Sequence, residues 1–242
     1  MGSGLSDGNR NTSQTRSLLS WVQRRVEAAR SRRGWHLFAA MLRIFLGFAL
    51  LPSGLKKIIA EPFTDPANLG PFHDFLDAFL ATGFFYQFVG TMQVVTALLL
   101  MSQRFALVGA FMMVPIITTI LVFCWSTEVY PTASVVTLMW LGTIGLVLWD
   151  VARWRGILVR GGDARPRIEA SDRLEPRLWE RCGLAIFSVY IAVTAVSGEI
   201  YRPRGMELDK PGFYLFPALL VLLIATWVLD RRAWKARPKQ VD

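Results

Sequence analysis

Residues 105–125 read FALVGAFMMVPIITTILVFCW, a run without one charged side chain. The hydrocarbon core of a bilayer is about 30 Å thick, and a helix of roughly 20 residues crosses it. The run is continuously apolar rather than alternating, which points to a helix and not to a barrel strand. Reading outward from it, comparable blocks lie at about 35–55, 82–101, 132–149, 182–198 and 212–229. The fold expected is therefore all-α: a polytopic bundle of six transmembrane helices.

Composition agrees. Hydrophobic residues make up 53% of the chain, charged residues 19%, and mean hydropathy is +0.37. Net charge is +9 with a pI near 10.1. The excess sits between apolar blocks, so it points to anionic lipid head groups rather than to nucleic acid. Segments 1–34, 102–104, 150–181 and 230–242 together carry 21 Lys and Arg, against 5 in the loops between them. By the positive-inside rule both termini are expected in the cytoplasm, which requires an even number of spans.

The organisation expected runs as follows. Residues 1–34 form a basic cytoplasmic arm, polar and disordered over 1–16. Over 17–33, Leu18, Val22, Val26 and Ala29 recur at helical spacing among five arginines. That pattern fits an amphipathic helix in the membrane surface, or a solvated arm that only sets topology. Residues 35–155 form a four-helix core, 156–181 a cytoplasmic linker, 182–229 a transmembrane hairpin and 230–242 a basic tail. In the outer loop, Phe72, Phe75, Leu76, Phe79 and Leu80 share one face, expected to lie on the outer surface, cap a cavity or pack on helix ends. Met1-Gly2-Ser3-Gly4-Leu5-Ser6 fits the short myristoylation pattern.

Arg43 is the one charge well inside a span. Burying a charge at helix centre costs roughly 2.5–3.5 kcal/mol on insertion scales, so such a residue faces a partner, a cavity or the head groups. Gln93 shares a helix face with Gly90 and Ala97, a small and polar face suited to close packing. Counted from their inner ends, Arg43 and Gln93 lie about 12 and 13 Å deep, level enough to hydrogen-bond. With no acid in the middle of any span, the positive charge of Arg43 is left for an anionic head group or a ligand. Pro115 removes one backbone hydrogen bond, which Thr118 and Thr119 can help to replace. Gly142 and Gly145 read as packing residues. Six of the nine tryptophans, Trp35, Trp149, Trp154, Trp179, Trp227 and Trp234, fall near inner span ends as interfacial anchors.

Cys124 and Cys182 fall on opposite sides of this topology and read as buried thiols. No metal or haem ligand set and no soluble-type catalytic motif is evident, and nothing commits the chain to a catalysed reaction.

The stretch Arg43-Ile-Phe-Leu-Gly47 followed by Gly54-Leu55-Lys56-Lys57, and then Gly90-Thr-Met-Gln93-Val-Val-Thr-Ala97 before Arg104, resembles the DoxX-like family of bacterial membrane proteins. The family's first helix carries an Arg, a Gly four residues on, and a Gly-x-x-Lys near its outer end, matched here by Lys57. It usually has Glu where this chain has Gln93, and Gly where it has Ala97. The resemblance covers about 35–160. It implies a four-helix bundle in a bacterial inner membrane, with Gly47, Gly54 and Gly90 as structural residues. Some relatives are subunits of quinone-linked oxidoreductases such as thiosulfate:quinone oxidoreductase. The leading expectation is thus an accessory subunit of a membrane redox system. It would hold a quinone or lipid near Arg43 and Gln93, with Lys57 at the outer end, and work with a redox partner subunit or as an oligomer. A small-solute transporter or channel, and a purely structural membrane protein, are the alternatives.

Overall fold

The computed structural model describes residues 21–63, 68–158, 173–200 and 215–236. The expected disordered tail, the myristoylation pattern, most of the linker and the end of the basic tail lie outside the described residues. Within them the chain is all helix and turn, without a strand. Helix α1 covers residues 21–30. It is followed by α2 (Arg33–Ile58), α3 (Pro71–Ala81), α4 (Phe84–Met101), α5 (Ala106–Ser126), α6 (Tyr130–Trp149), α7 (Val151–Leu158), α8 (Pro176–Ser197) and α9 (Leu215–Ala236). Five of them, α2, α4, α5, α6 and α8, are long and apolar enough to cross a membrane, the build of a multi-pass membrane protein.

Helix α2 is the hub. It packs along α4, α4 on α5, α5 on α6, and α6 returns to α2. Its antiparallel register with α4 is set by glycines. A Cβ on Gly47 would stand 2.6 Å from Met101 Cγ, and one on Gly54 2.8 Å from Val94 Cγ2. A Cβ on Gly90 would stand 2.5 Å from Lys57 Cβ and 2.6 Å from the Gly54 carbonyl. The backbones approach as closely as they do only because these side chains are missing, as in other small-residue interfaces between membrane helices. Ala97 and Gln93 are buried on the same seam.

The trailing pair is part of the same core. Trp179, Cys182, Ile186 and Tyr190 of α8 and Leu215 and Leu219 of α9 belong to one buried cluster with α2, α4 and α5. Helix α8 presses on the end of α4 so tightly that a Cβ on Gly183 would stand 2.0 Å from the Met101 carbonyl oxygen. It also starts at Pro176, inside the segment expected to be linker. Its first six residues, Pro176-Arg-Leu-Trp-Glu-Arg, are too polar to register as a span, yet proline fits the first turn of a helix, where its missing N–H goes unneeded. The helix stops at Gly198, which takes φ +68° and returns its N–H to the Thr194 carbonyl at 3.0 Å. Helix α9 runs on through Asp230 to Ala236, so the first part of the expected tail is helical.

Elsewhere local chemistry is used for packing. Trp140 donates to Thr118 Oγ1 at 3.0 Å, which ties α6 to α5, and Thr119 donates to the Pro115 carbonyl. Gly142 meets Leu42, whereas Gly145 has nothing near it and is no packing residue. Helix α3 packs on helix ends through Phe72 and Phe75 against Phe123 and Phe79 against Tyr86. Both cysteines are buried free thiols. Large apolar side chains such as Phe45, Phe111, Leu138 and Val221 point outward uncovered, the normal state of a surface facing lipid tails.

Candidate functional site

Three chain reversals bring polar residues to one end of the bundle, the end where α4 and α6 finish and α2 and α8 begin. Arginine is concentrated there, so it is called the basic end below. Asp150 is the residue that organises it. It follows the last residue of α6, where the helix dipole repels a carboxylate, and it is only 3% exposed. Its charge is matched by three guanidinium groups. Arg43 Nη2 of α2 donates to Oδ2 at 2.9 Å, while Arg153 and Arg30 stand 3.4 and 3.8 Å from Oδ1.

Each arginine has a second role. Arg30, at the end of α1, is itself buried and donates to the Trp149 carbonyl at 2.8 Å, capping α6, while its guanidinium lies 5.0 Å from the Trp149 ring. His36 Nε2 donates to the Arg30 carbonyl at 2.8 Å and fixes the end of α1. Arg43 also donates to Gln103 Oε1 at 3.4 Å, and Gln103 Nε2 donates to the Ala40 carbonyl at 3.1 Å. Gln103 sits in the turn after α4 with φ +57°, a left-handed conformation uncommon for residues other than glycine. That backbone turn points its amide back at α2. A neighbouring clasp holds α9: Asp230 pairs with Arg33 and accepts from the Glu175 N–H at 2.8 Å.

Between these groups lies a cavity of about 330 Å³, lined among others by Arg30, His36, Arg43, Gln103, Asp150 and Trp179. That size suits a small molecule or a lipid head group. Trp179 was expected as an interfacial anchor. It is instead wholly buried, because α8 starts early enough to carry it into the core.

Two expectations for Arg43 are overturned. It does have an acidic partner, Asp150, which lies beyond the end of a span rather than in its middle. It is also not level with Gln93. Helix α2 extends well past the end of α4, and the glycine contacts align Gly47 with Ala97 and Met101 and Gly54 with Gln93. Counting each helix from its own inner end assumed ends that were flush. Gln93 accepts instead from Ser53 Oγ at 3.1 Å, and Ser53 Oγ accepts from Lys57 Nζ at 2.9 Å. Lys57 also stands 4.7 Å from the Phe63 ring and 5.8 Å from the Tyr86 ring. The three candidate residues thus divide. Arg43 lines the cavity, while Lys57 and Gln93 form a separate buried cluster toward the other end of α2.

Asp150, Gln103 and Arg30 were missed from sequence. The signal available was Asp150 itself, an acid directly after an apolar block in an otherwise arginine-rich stretch. Among the described residues no three of His, Cys, Asp and Glu gather to hold a metal ion. No protein-family model, curated protein or solved structure matches the chain.

Proposed function

We propose that this chain is an accessory subunit of a bacterial inner-membrane redox system, with a DoxX-like four-helix core. In this reading it binds a lipid or quinone head group in the cavity at the basic end. Helix α9 serves as a sixth span through its apolar part 215–229, and the distribution of Lys and Arg then sets both termini, and the basic end, in the cytoplasm. The redox setting and the bacterial membrane rest on the family resemblance.

One observation carries the binding role: Arg43, a charge inside a span, lines an open cavity with its partner Asp150 instead of being sealed in apolar packing. Intramembrane ionisable groups that face cavities are where ligands and cofactors are held. The test is mass spectrometry of the solvent extract of protein purified in nanodiscs. A stoichiometric lipid or quinone that is lost in Arg43→Ala supports the reading. An extract matching bulk lipid, unchanged by the substitution, sinks it.

A structural role is favoured by one fact, that the Arg43–Asp150 pair bolts α2 to α6. On that reading Arg43→Ala lowers thermal stability and leaves the bound lipid unchanged.

A further inference from the structure

We infer that the cavity at the basic end is a site for a phosphate-bearing anion. This rests on the head-group reading above and narrows it. The lining holds four guanidinium groups, Arg30, Arg43, Arg104 and Arg153, against the carboxylates of Asp150 and Glu180. The excess is two positive charges: Arg30, Arg43 and Asp150 are shielded from solvent, while Arg104 is exposed and Arg153 half-exposed. Arginine's planar fork of donors matches phosphate oxygens better than it matches a neutral carbonyl ring. A quinone needs no such excess of charge.

A second observation points the same way. Trp179 lines the cavity, is 0% exposed, and its indole Nε1 has no hydrogen-bond partner among the described residues. Indole nitrogen can only donate, and a buried donor is nearly always satisfied. An anionic oxygen in the cavity supplies the missing acceptor. Arg43 and Arg153 keep donors for it as well: a guanidinium has five N–H groups, and the Asp150 carboxylate takes one hydrogen bond from Arg43. Asp150 has a positioning role here, holding three guanidinium groups against their mutual repulsion.

The phosphate can come from a phospholipid head group or from a soluble phosphoester. Native mass spectrometry of the full chain, delipidated in detergent, separates the two. The titrants are phosphatidylglycerol, diacylglycerol, ubiquinone and glycerol 3-phosphate. Phosphatidylglycerol is expected to bind one to one, at least about tenfold tighter than diacylglycerol or ubiquinone. Trp179→Phe removes the donor together with one ring of the indole, and Arg153→Gln alters a side chain that is 42% exposed. Each is expected to weaken phosphatidylglycerol about tenfold or more, the worth of a hydrogen bond to a charged group, with thermal stability near that of the parent in Arg153→Gln and lowered in Trp179→Phe by the space left in the core. Displacement by glycerol 3-phosphate assigns the site to a soluble phosphoester, and lack of displacement assigns it to the lipid. Equal binding of phosphatidylglycerol and diacylglycerol, or variants that bind like the parent, overturns the inference. Ubiquinone held in an Arg43-dependent way without phosphate preference does so too, while leaving the proposed function intact. Loss of every head group defeats both.

Discussion

At the far end of α2, Lys57 folds back on its own helix. Its ammonium reaches the Ser53 carbonyl and hydroxyl, and the hydroxyl passes the interaction on to Gln93 across the α4 seam. At the basic end, Arg43 reaches out of its helix to Asp150, which is 107 residues away in sequence. Both are basic residues of α2 shielded from solvent, yet the first cluster is built by neighbours on two tightly packed helices and the second by five separate chain segments around a cavity. The difference teaches that burial of a charge does not by itself mark a binding site. What marks it is whether the groups that stabilise the charge also leave space and unused donors beside it.

Substitutions can break this comparison, beginning with the largest expected effect. Asp150→Ala leaves three guanidinium groups without their acid and should cost about 3–5 kcal/mol, the usual result of stripping one partner from a buried ion pair. Thermal unfolding in detergent reads it, and the Arg43→Ala/Asp150→Ala double variant should recover part of the loss. A single variant as stable as the parent contradicts the central role given to Asp150. Gly183→Ala is next, at about 1–3 kcal/mol for forcing a methyl group into a filled contact. Because the collision is with backbone of α4, the substitution should loosen α8, which a cysteine cross-link between the two helices can follow. If cross-linking is unchanged, the trailing pair does not depend on that contact.

Gln93→Leu tests the sealed cluster. It removes the acceptor of the Ser53 hydroxyl and should cost about 1 kcal/mol while leaving any ligand at the basic end in place. Ligand loss in this variant would join the two clusters functionally and undo the contrast drawn between them. The smallest effect is expected for Trp140→Phe, which deletes one interhelical bond to Thr118. Such bonds average about 0.6 kcal/mol in a membrane bundle, a shift visible in a careful denaturation series but not in ligand retention.

Much of the bundle is legible in the amino-acid order. The run 105–125 becomes α5 almost end for end, and the small face of Gly90, Gln93 and Ala97 on α4 packs closely, as its spacing suggests. Less legible is whatever hydropathy averages away. The polar first turn of α8 and the stretch of α9 around Asp230 are helical, but their charges hide them from a search for apolar blocks. The site shows the same limit. Arg43 stands out as a charge within an apolar block, whereas Asp150 lies at a boundary where charges are ordinary, and Gln103 is inconspicuous in a three-residue polar turn.

The sequence alone determined that the chain is helical, that several helices have membrane-spanning length and composition, and that α4 carries a small face at Gly90, Gln93 and Ala97. These follow from local composition, since the free energy of placing a helix in lipid is close to a sum over its own residues. Only the tertiary structure decided which polar groups meet. Close glycine contacts fixed the offset between α2 and α4 and separated Arg43 from Gln93. The turn at Gln103, the end of α6 at Asp150 and the early start of α8 at Pro176 then assembled the cavity. A difference of a few residues in register moves a side chain by a full helical turn, and no local pattern encodes that offset.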